Sequence, residues 1–326
     1  MSEVHAAGDV VAHPRLAALL KRAQAQAQAQ AQRQAGRLPV LGLVHPGDSL
    51  ALQAALAVHQ AGIARPILIG ARDEIQRAAE AARLDITALQ IEATATGGPA
   101  AAKRAVAMAR DGTVAMLMKG SLHTDELMSA VVDKALGLRG SRRISHAFLF
   151  DLPRYHKLLA LADCVVNIAP DIETKRDILA NAVELLQKLG TPAPKVAIVT
   201  AVETVSPHIP ATLDAQALVQ AASQGAWPGA VVEGPFGFDN AFSAEAARIK
   251  RIESKVAGDA DLMLMPDLNA GNMLYKSFVY AAGAECAGLV LGAKVPVVLT
   301  SRADSQMARL ASVALGVLSV GSQDTV

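Results

Sequence analysis

The sequence has few aromatic residues, few cysteines and almost no net charge. Six Phe, three Tyr and one Trp are the only aromatic residues among 326, and they all fall between Phe148 and Tyr280. The formal net charge of +1 excludes the basic field that drives binding to nucleic acid or to a membrane surface. The two cysteines, Cys164 and Cys286, show no CxxC or metal-ligand spacing. We therefore expect no disulfide framework and a reducing, cytosolic environment.

Long hydrophobic runs and targeting signals are also missing. No apolar run approaches the roughly 20 residues that a membrane-spanning helix needs, and the N-terminus lacks a charged-then-apolar signal pattern. These absences predict a soluble cytoplasmic protein with neither a membrane nor a nucleic-acid partner. Apolar residues nevertheless make up 52% of the chain, which is enough for a substantial core. The length suits two ordinary domains or one large α/β unit.

Short apolar runs alternate with longer helical patterns from Leu38 onward. Because the strand-like runs are continuous rather than alternating, they are typical of parallel strands covered on both faces. Eleven such strands exceed one compact sheet, so we expect an α/β protein with two sheets rather than a closed barrel. The Ala/Gln-rich run at 22–35 has no apolar face to bury, which predicts an exposed helical extension or a frayed linker. The candidate strands span 39–45, 65–70, 87–93, 113–120, 145–151, 164–169, 195–201, 229–234, 260–266, 287–292 and 296–301.

Candidate binding residues follow the strands, because ligands of α/β sheets bind beyond the carboxyl ends of strands. The first group is Lys119, Gly120, Ser121 and Thr124, after the strand at 113–118. A glycine lets the backbone approach a ligand, and the N-terminus of the following helix offers free N–H groups to an anion. The alternative is that Ser121 or Thr124 only caps that helix.

The second group lies in the segment PDLNAGN, after the strand at 260–266. Its polar members and its glycine predict a turn that opens a helix and holds an acyl carbonyl or a phosphate. The alternative is an ordinary N-cap by Asp267 or Asn269. The candidates are Asp267, Asn269, Gly271 and Asn272.

The third group is Ser301, Arg302 and Asp304, in the segment TSRADS. Ser301 and Asp304 have the spacing of a capping box, which would place Arg302 in the first turn of a helix. A cation is unfavourable there, so a bound phosphate would compensate for it. No GxGxxG, GxxxxGK[ST] or GxSxG motif is present, and no metal-ligand cluster is evident, so standard nucleotide and metal sites are not expected.

Seven segments, taken together and in order, resemble the phosphate acetyltransferase/phosphate butyryltransferase family, with the butyryl-type branch as the nearest match. The resemblance covers the chain from about Pro39 to its end. The segments are LMKGSLHTDEL (117–127), SHAFLFDLPRY (145–155), VVNIAPDIETKRDI (165–178), VAIVTAVETV (196–205), VVEGPFGFDNAFS (231–243), VAGDADLMLMPDLNAGNMLYK (256–276) and LTSRADS (299–305).

The resemblance implies two α/β/α domains of the isocitrate dehydrogenase type, with an active site in the cleft between them and a homodimeric assembly. Residues 1–145 and 301–326 would form the first domain, with 1–37 as an N-terminal extension, and 146–300 would form an inserted second domain. All the aromatic residues fall within that inserted part. The implied reaction transfers a short acyl group (acetyl, propionyl or butyryl) between CoA and inorganic phosphate. CoA, acyl-CoA and phosphate are then substrates, and no bound cofactor or metal is required.

The resemblance also implies roles for the third group. Arg302 would orient phosphate, Ser301 or Asn269 would stabilise the tetrahedral oxyanion or the departing thiolate, and Asp304 is the candidate base for the CoA thiol.

Two positions depart from the family pattern. Ala308 stands where the acetyl-type branch has its base, an Asp seven residues after the serine. Ser129 stands where many members have an arginine, so Lys119, Arg139 or Arg142 would have to replace its charge. These departures keep a second hypothesis open, in which the chain is a non-catalytic module that binds CoA or another metabolite.

Overall fold

The computed structural model describes residues 13–33, 36–301 and 303–320. Within this part of the chain, no helix is long and apolar enough to cross a membrane. The strands are β1 (Val40–Val44), β2 (Arg65–Gly70), β3 (Gln90–Ala93), β4 (Met116–Lys119), β5 (Ser145–Asp151), β6 (Leu159–Ala162), β7 (Lys195–Val199), β8 (Val231–Phe236), β9 (Leu262–Leu264), β10 (Glu285–Leu291) and β11 (Val297–Val298). The helices are α1 (Pro14–Arg33), α2 (Ser49–Ala61), α3 (Arg72–Ala82), α4 (Gly98–Arg110), α5 (Thr124–Val131), α6 (Ile172–Lys188), α7 (Pro210–Ser223), α8 (Phe238–Phe242), α9 (Ala244–Ile249), α10 (Leu268–Tyr280) and α11 (Gln306–Ser319).

The strands form one continuous sheet in the order β3-β2-β1-β4-β11-β10-β5-β6-β9-β7-β8. This confirms the α/β class, but the expectation of two sheets was wrong. Strands β1–β4 and β11 form a parallel half, and β6–β9 form a second parallel half. Three antiparallel pairings, β11 with β10, β10 with β5 and β5 with β6, join the halves. The two halves therefore point their carboxyl ends toward opposite edges of the sheet.

The two faces of the sheet are packed differently. Alternate residues of the strands, such as Leu41, Leu149 and Leu262, enter one hydrophobic cluster that runs along one face under α1, α2, α6, α7 and α11. On the other face, Val44 belongs to a cluster of the first half, whereas Phe150 belongs to a separate cluster of the second half. Most of the buried aromatic side chains lie in that second cluster. One face is thus continuous, and the other is divided between the two halves.

The segment 164–169 is not a strand, which corrects the sequence prediction. The strand β6 precedes it, and the buried carboxylate of Asp163 then turns the chain. One oxygen of Asp163 accepts the backbone N–H groups of Val165 and Val166 at 2.8 and 3.0 Å, and the other accepts the Asn167 side-chain amide at 2.6 Å. These hydrogen bonds replace a strand ladder, although the residues themselves are apolar and β-branched.

The Ala/Gln-rich run also differs from its prediction. Its residues 22–33 form the last part of α1, and Ala23 and Ala27, four residues apart, are fully buried on one face of that helix. The helix packs against α11, and the side-chain amide of Gln26 donates to the carbonyl of Val317 at 2.8 Å. Small alanine side chains let two helices approach closely, so this stripe buries surface without large apolar residues.

Candidate active site

Three neighbouring parallel strands, β1, β4 and β11, end at the same edge of the sheet. Their carboxyl ends and the residues that follow enclose a pocket of about 220 Å³. The pocket brings the first group of residues that the sequence predicted together with Ser301 of the third group. It is lined by Asp48, Leu50, Ala51, Lys119, Gly120, Ser121, Leu122, His123, Thr124, Thr300, Ser301 and Arg309.

The loops after β1 and β4 interlock. The Ser121 hydroxyl donates to the carbonyl of His45 at 2.7 Å and accepts the N–H of Gly47 at 2.9 Å. A Cβ atom on Gly120 would lie only 2.4 Å from the carbonyl oxygen of Val44. Gly120 therefore lets one loop approach the other, and it also lines the pocket. Ser121 likewise holds the loops together, and it does not cap α5.

The loop after β4 also positions Lys119. Its Nζ donates to the carbonyl oxygens of Leu122 at 3.1 Å and Gly120 at 3.3 Å, which keeps the ammonium group at the pocket. The hydroxyl of Thr300 donates to the carbonyl of Lys119 at 3.1 Å and joins the loop after β11 to this loop. His123 is the N-cap residue of α5, so Thr124 is the first residue of the helix and not its cap.

Ser301 and Asp304 form a closed turn. The N–H of Ser301 donates to a carboxylate oxygen of Asp304 at 2.7 Å, and the N–H of Ala303 donates to the Ser301 hydroxyl at 3.3 Å. The capping-box spacing had predicted that this turn starts a helix, but it does not. Helix α11 begins at Gln306, and its N-cap is Ser305, whose hydroxyl accepts the N–H of Ala308 at 2.9 Å. Arg302 lies outside the described residues.

The pKa of Asp304, in the turn with Ser301, is raised above that of an ordinary aspartate. Burial raises its pKa, while the Ser301 N–H and the positive charges of Arg309 and Lys119 oppose the rise. The negative charge of Glu285 adds to it. A carboxylate with a raised pKa is a better proton acceptor than an ordinary aspartate, which is the property that a general base needs.

Arg309 is a pocket residue that the sequence did not reveal. It is the fourth residue of α11 and is only 7% exposed. Its Nη2 donates to the carbonyl of Ser301 at 2.9 Å and its Nε to the carbonyl of Asp304 at 3.3 Å. Nothing in the local sequence marks this arginine, because its position in the pocket depends on the preceding turn, Ser301 to Asp304, folding back against its side chain.

The described lining of the pocket carries more positive than negative charge. The N-termini of α2 and α5 both open onto it, Lys119 and Arg309 add two positive charges, and the carboxylate of Asp48, which caps α2, adds one negative charge. Free backbone N–H groups and the helix dipole favour a negative ligand at such a place. The contribution of α2 was missed in the sequence because HPGDS, at 45–49, matches no phosphate-binding motif. The useful signal was Asp48, which follows the end of the apolar strand β1 by four residues and is the N-cap of α2.

The second group of predicted residues does not line this pocket. Strand β9 belongs to the reversed half of the sheet, so the turn after it lies at the opposite edge. Asp267 caps α10 through the N–H of Ala270, Asn269 is exposed, and Asn272 donates its side-chain amide to the carbonyl of Cys164 at 3.1 Å. Gly271 packs against the backbone of Asp163, where a Cβ atom would lie 2.5 Å from the carbonyl oxygen.

Two candidate replacements for the missing arginine also lie elsewhere. Arg142 lines a separate cavity of about 550 Å³ at the amino ends of β4 and β11, and its Nη1 pairs with Glu184 at 2.6 Å. Arg139 donates its Nε to the carbonyl of Val132 and forms a backbone bridge with Ala293, which lines the same cavity. Of the three proposed replacements for the charge missing at Ser129, only Lys119 lines the pocket.

The fold is that of an α/β protein with a polar pocket at the carboxyl ends of β1, β4 and β11. Residues 99–317 match the family model described as "Phosphate acetyl/butaryl transferase". The chain is 49% identical over 276 residues to a phosphate acetyltransferase of Rhizobium meliloti, covering 85% of this chain and 87% of the relative. It is 37% identical over 276 residues to a phosphate butyryltransferase of Clostridium acetobutylicum, covering 85% and 91% respectively.

A solved structure agrees with these relatives. The branched-chain phosphotransacylase of Enterococcus faecalis V583 matches with a TM-score of 0.77 and 28% identity, covering 86% of this chain and 99% of that one. The chain therefore belongs to the phosphate acetyltransferase/phosphate butyryltransferase family, which confirms the resemblance stated from the sequence.

Proposed function

We propose that this chain is a phosphate acyltransferase that converts an acyl-CoA and inorganic phosphate into an acyl phosphate and free CoA. The observation that carries the proposal is the pocket where β1, β4 and β11 end, which combines Lys119, Arg309 and two helix N-termini with the exposed hydroxyl of Ser301. Such a pocket can hold phosphate beside a thioester, and holding both reactants in place supplies much of the catalysis. Family membership identifies the acyl donor.

The proposed chemistry needs no covalent intermediate on the protein. A phosphate oxygen attacks the thioester carbonyl carbon, the new C–O bond forms, and the C–S bond breaks with its electron pair leaving on sulfur. Ser301 is proposed to donate to the oxyanion or to the departing thiolate, and Arg302 to orient the phosphate. In the reverse direction, Asp304 is proposed to accept the thiol proton, since the position of the acetyl-type base is Ala308 and is buried.

The test is a chain-length series with acetyl-, propionyl- and butyryl-CoA. Thiol release is measured with and without phosphate, and acyl phosphate is trapped with hydroxylamine. We expect phosphate-dependent release that falls in Arg302→Ala and not in Arg248→Ala, a matched change at an exposed arginine. No turnover with any donor, together with an unaltered Arg302→Ala, would sink the proposal. Tight acetyl-CoA binding without turnover would favour the non-catalytic module instead.

A pH profile tests the base. Because burial raises the pKa of Asp304, the acid limb of the reverse reaction should lie above the pH expected for an ordinary aspartate. Asp304→Asn should lower the reverse kcat by roughly a hundredfold or more and remove that limb. An unchanged limb in the variant would assign the base to another group.

The proposal includes a homodimer formed through α10. Met273 and Tyr280, seven residues and two helical turns apart, are 65% and 74% exposed on one face of this helix, and Ile168 beside its start is 73% exposed. Such an apolar patch is typical of an interface. Met273→Lys should shift the sedimentation coefficient to that of a monomer. Leu136→Lys, a change at a 63% exposed leucine of the other half, should not, and identical behaviour of the two variants would refute this interface.

The proposal keeps the division into residues 1–145 plus 301–326 and residues 146–300, with the reaction in the cleft between them. The two separate clusters on one face of the sheet support a division into two parts, with Val290 and Val297 of the second segment packed in the cluster of the first half. A cytoplasmic location is also proposed, in keeping with two cysteines that are both free and buried.

A further inference from the structure

Arg309 is a buried cation without an ion-pair partner among the described residues. The side chain is 7% exposed, and its two hydrogen-bond acceptors, the carbonyls of Ser301 and Asp304, are neutral. Taking a guanidinium group out of water is costly unless an anion compensates for it. The nearby carboxylate of Asp304 is directed at the N–H of Ser301 and forms no salt bridge with Arg309.

The geometry leaves one end of the guanidinium group available. Its Nε and Nη2 are engaged by carbonyl oxygens, whereas its Nη1 makes no hydrogen bond to any residue that the structure describes. The same side chain forms part of the pocket wall, with Lys119 and Ser301. A guanidinium held at two nitrogens loses little further freedom when the third binds a ligand, which favours recognition of an oxyanion.

Arg309 gains importance because α5 lacks the arginine that the family resemblance implies. The α5 position where relatives are implied to carry an arginine is the exposed Ser129, and Arg139 and Arg142 lie at the other edge of the sheet. Arg309 enters the pocket from a different helix, α11, one residue after the buried Ala308. The pocket thus receives a guanidinium group from a place that the family pattern does not indicate.

We propose that Arg309 binds an oxygen of the substrate phosphate through Nη1 while its other nitrogens hold the Ser301–Asp304 turn in position. The inference rests on the proposed function. It assigns two tasks to one side chain, so that the turn carrying the candidate base is ordered by the same group that holds the nucleophile. Lysine cannot perform both, because a single ammonium group lacks the planar fork.

Steady-state kinetics of Arg309→Met and Arg309→Lys test the inference. We expect the phosphate KM to rise roughly tenfold or more in the methionine variant, the range for losing a hydrogen bond to a charged group, while the acyl-CoA KM changes little. The lysine variant should recover part of the phosphate KM but not kcat, because it restores the charge and not the turn. Arg15→Met, which removes a partly buried arginine paired with Asp151, is the control for loss of stability alone.

A second measurement does not depend on turnover. Inorganic phosphate should raise the melting temperature of the unaltered protein and of Arg15→Met, much less that of Arg309→Met, and by an intermediate amount that of Arg309→Lys. Equal phosphate stabilisation of all four proteins, or a phosphate KM that is unchanged in Arg309→Met, would overturn the inference. If the unaltered protein binds phosphate through Arg309 but turns over no acyl-CoA, the proposed function fails and the assignment of Arg309 stands.

Discussion

The imidazole of His146 should make the protein sensitive to acid. This side chain on β5 is completely buried, and neither ring nitrogen has a partner among the described residues. It packs against the ring of Phe148, with the centroids 4.4 Å apart, and over Gly288, which leaves room for it. Burial lowers the pKa of His146 from 6.5 to about 4, although the nearby negative charge of Asp163 opposes the shift.

The size of the effect follows from the two pKa values. Well above pH 6.5 the imidazole is neutral in both the folded and the unfolded chain, so it adds no pH dependence there. Below 6.5 the unfolded chain binds the proton and the folded chain does not, so stability falls as the pH falls until it levels off near pH 4. The free energy of unfolding should drop by about 2 kcal/mol between pH 7.5 and 5 and by about 3 kcal/mol in all.

The assay is urea unfolding at several pH values, at one protein concentration, for the unaltered protein and His146→Leu. Leucine has a similar volume and does not titrate, so the difference in stability between the two proteins should shift by about 2 kcal/mol in favour of leucine on going from pH 7.5 to 5. His59→Gln, a change at an exposed histidine of α2, should show no such shift. A parallel loss of stability in all three proteins would refute the reasoning.

Two further predictions concern close packing. Gly120→Ala should abolish most activity and destabilise the protein, because the new methyl group would meet the carbonyl oxygens of Val44 and His45. Gly112→Ala has space for a methyl group, so it should keep kcat and lower the free energy of unfolding by only about 1–2 kcal/mol, because of the left-handed backbone at that position. Ala27→Glu should lower the free energy of unfolding by about 3 kcal/mol or more in chemical denaturation, because it buries a charge on the face of α1 that packs against α11, while Ala25→Glu on the exposed face should change little.

Local patterns predicted most of the strands but not how they join. Continuous apolar runs marked ten of the eleven strands, since a strand covered on both faces has no polar positions. The antiparallel pairing of β10 with β5 brings Glu285 opposite Asp151, residues far apart in the chain, and no local feature of either strand encodes that choice. The single sheet and the reversal of its second half therefore depended on tertiary packing.

The candidate site shows the same division. The segments KGSLHT and TSRADS were found because polar residues directly follow apolar strands, and the structure places Lys119 and Ser301 in one pocket. The capping-box spacing of Ser301 and Asp304 misled, because the same hydrogen-bonding groups can close a turn as readily as start a helix. Arg309 was missed because its side chain binds the backbone carbonyl oxygens of Ser301 and Asp304, eight and five residues earlier in the chain. Backbone carbonyl groups are present at every residue, so the sequence does not mark such contacts.

The reversal of the sheet determines how its second half can contribute to the reaction. In a uniformly parallel sheet, residues that follow neighbouring strands lie at the same edge. Because β9 ends at the opposite edge, Asp267 and Asn269, which follow it, lie away from the pocket. Helix α10 instead runs from that turn back along the sheet. Burial raises the pKa of Tyr275 on this helix, and the negative charge of the nearby Asp304 adds to the rise. The second half thus approaches the candidate base through the side of a helix. We therefore expect residues of α10 to affect the environment of the base and the acyl group more than the binding of phosphate, which the first half holds.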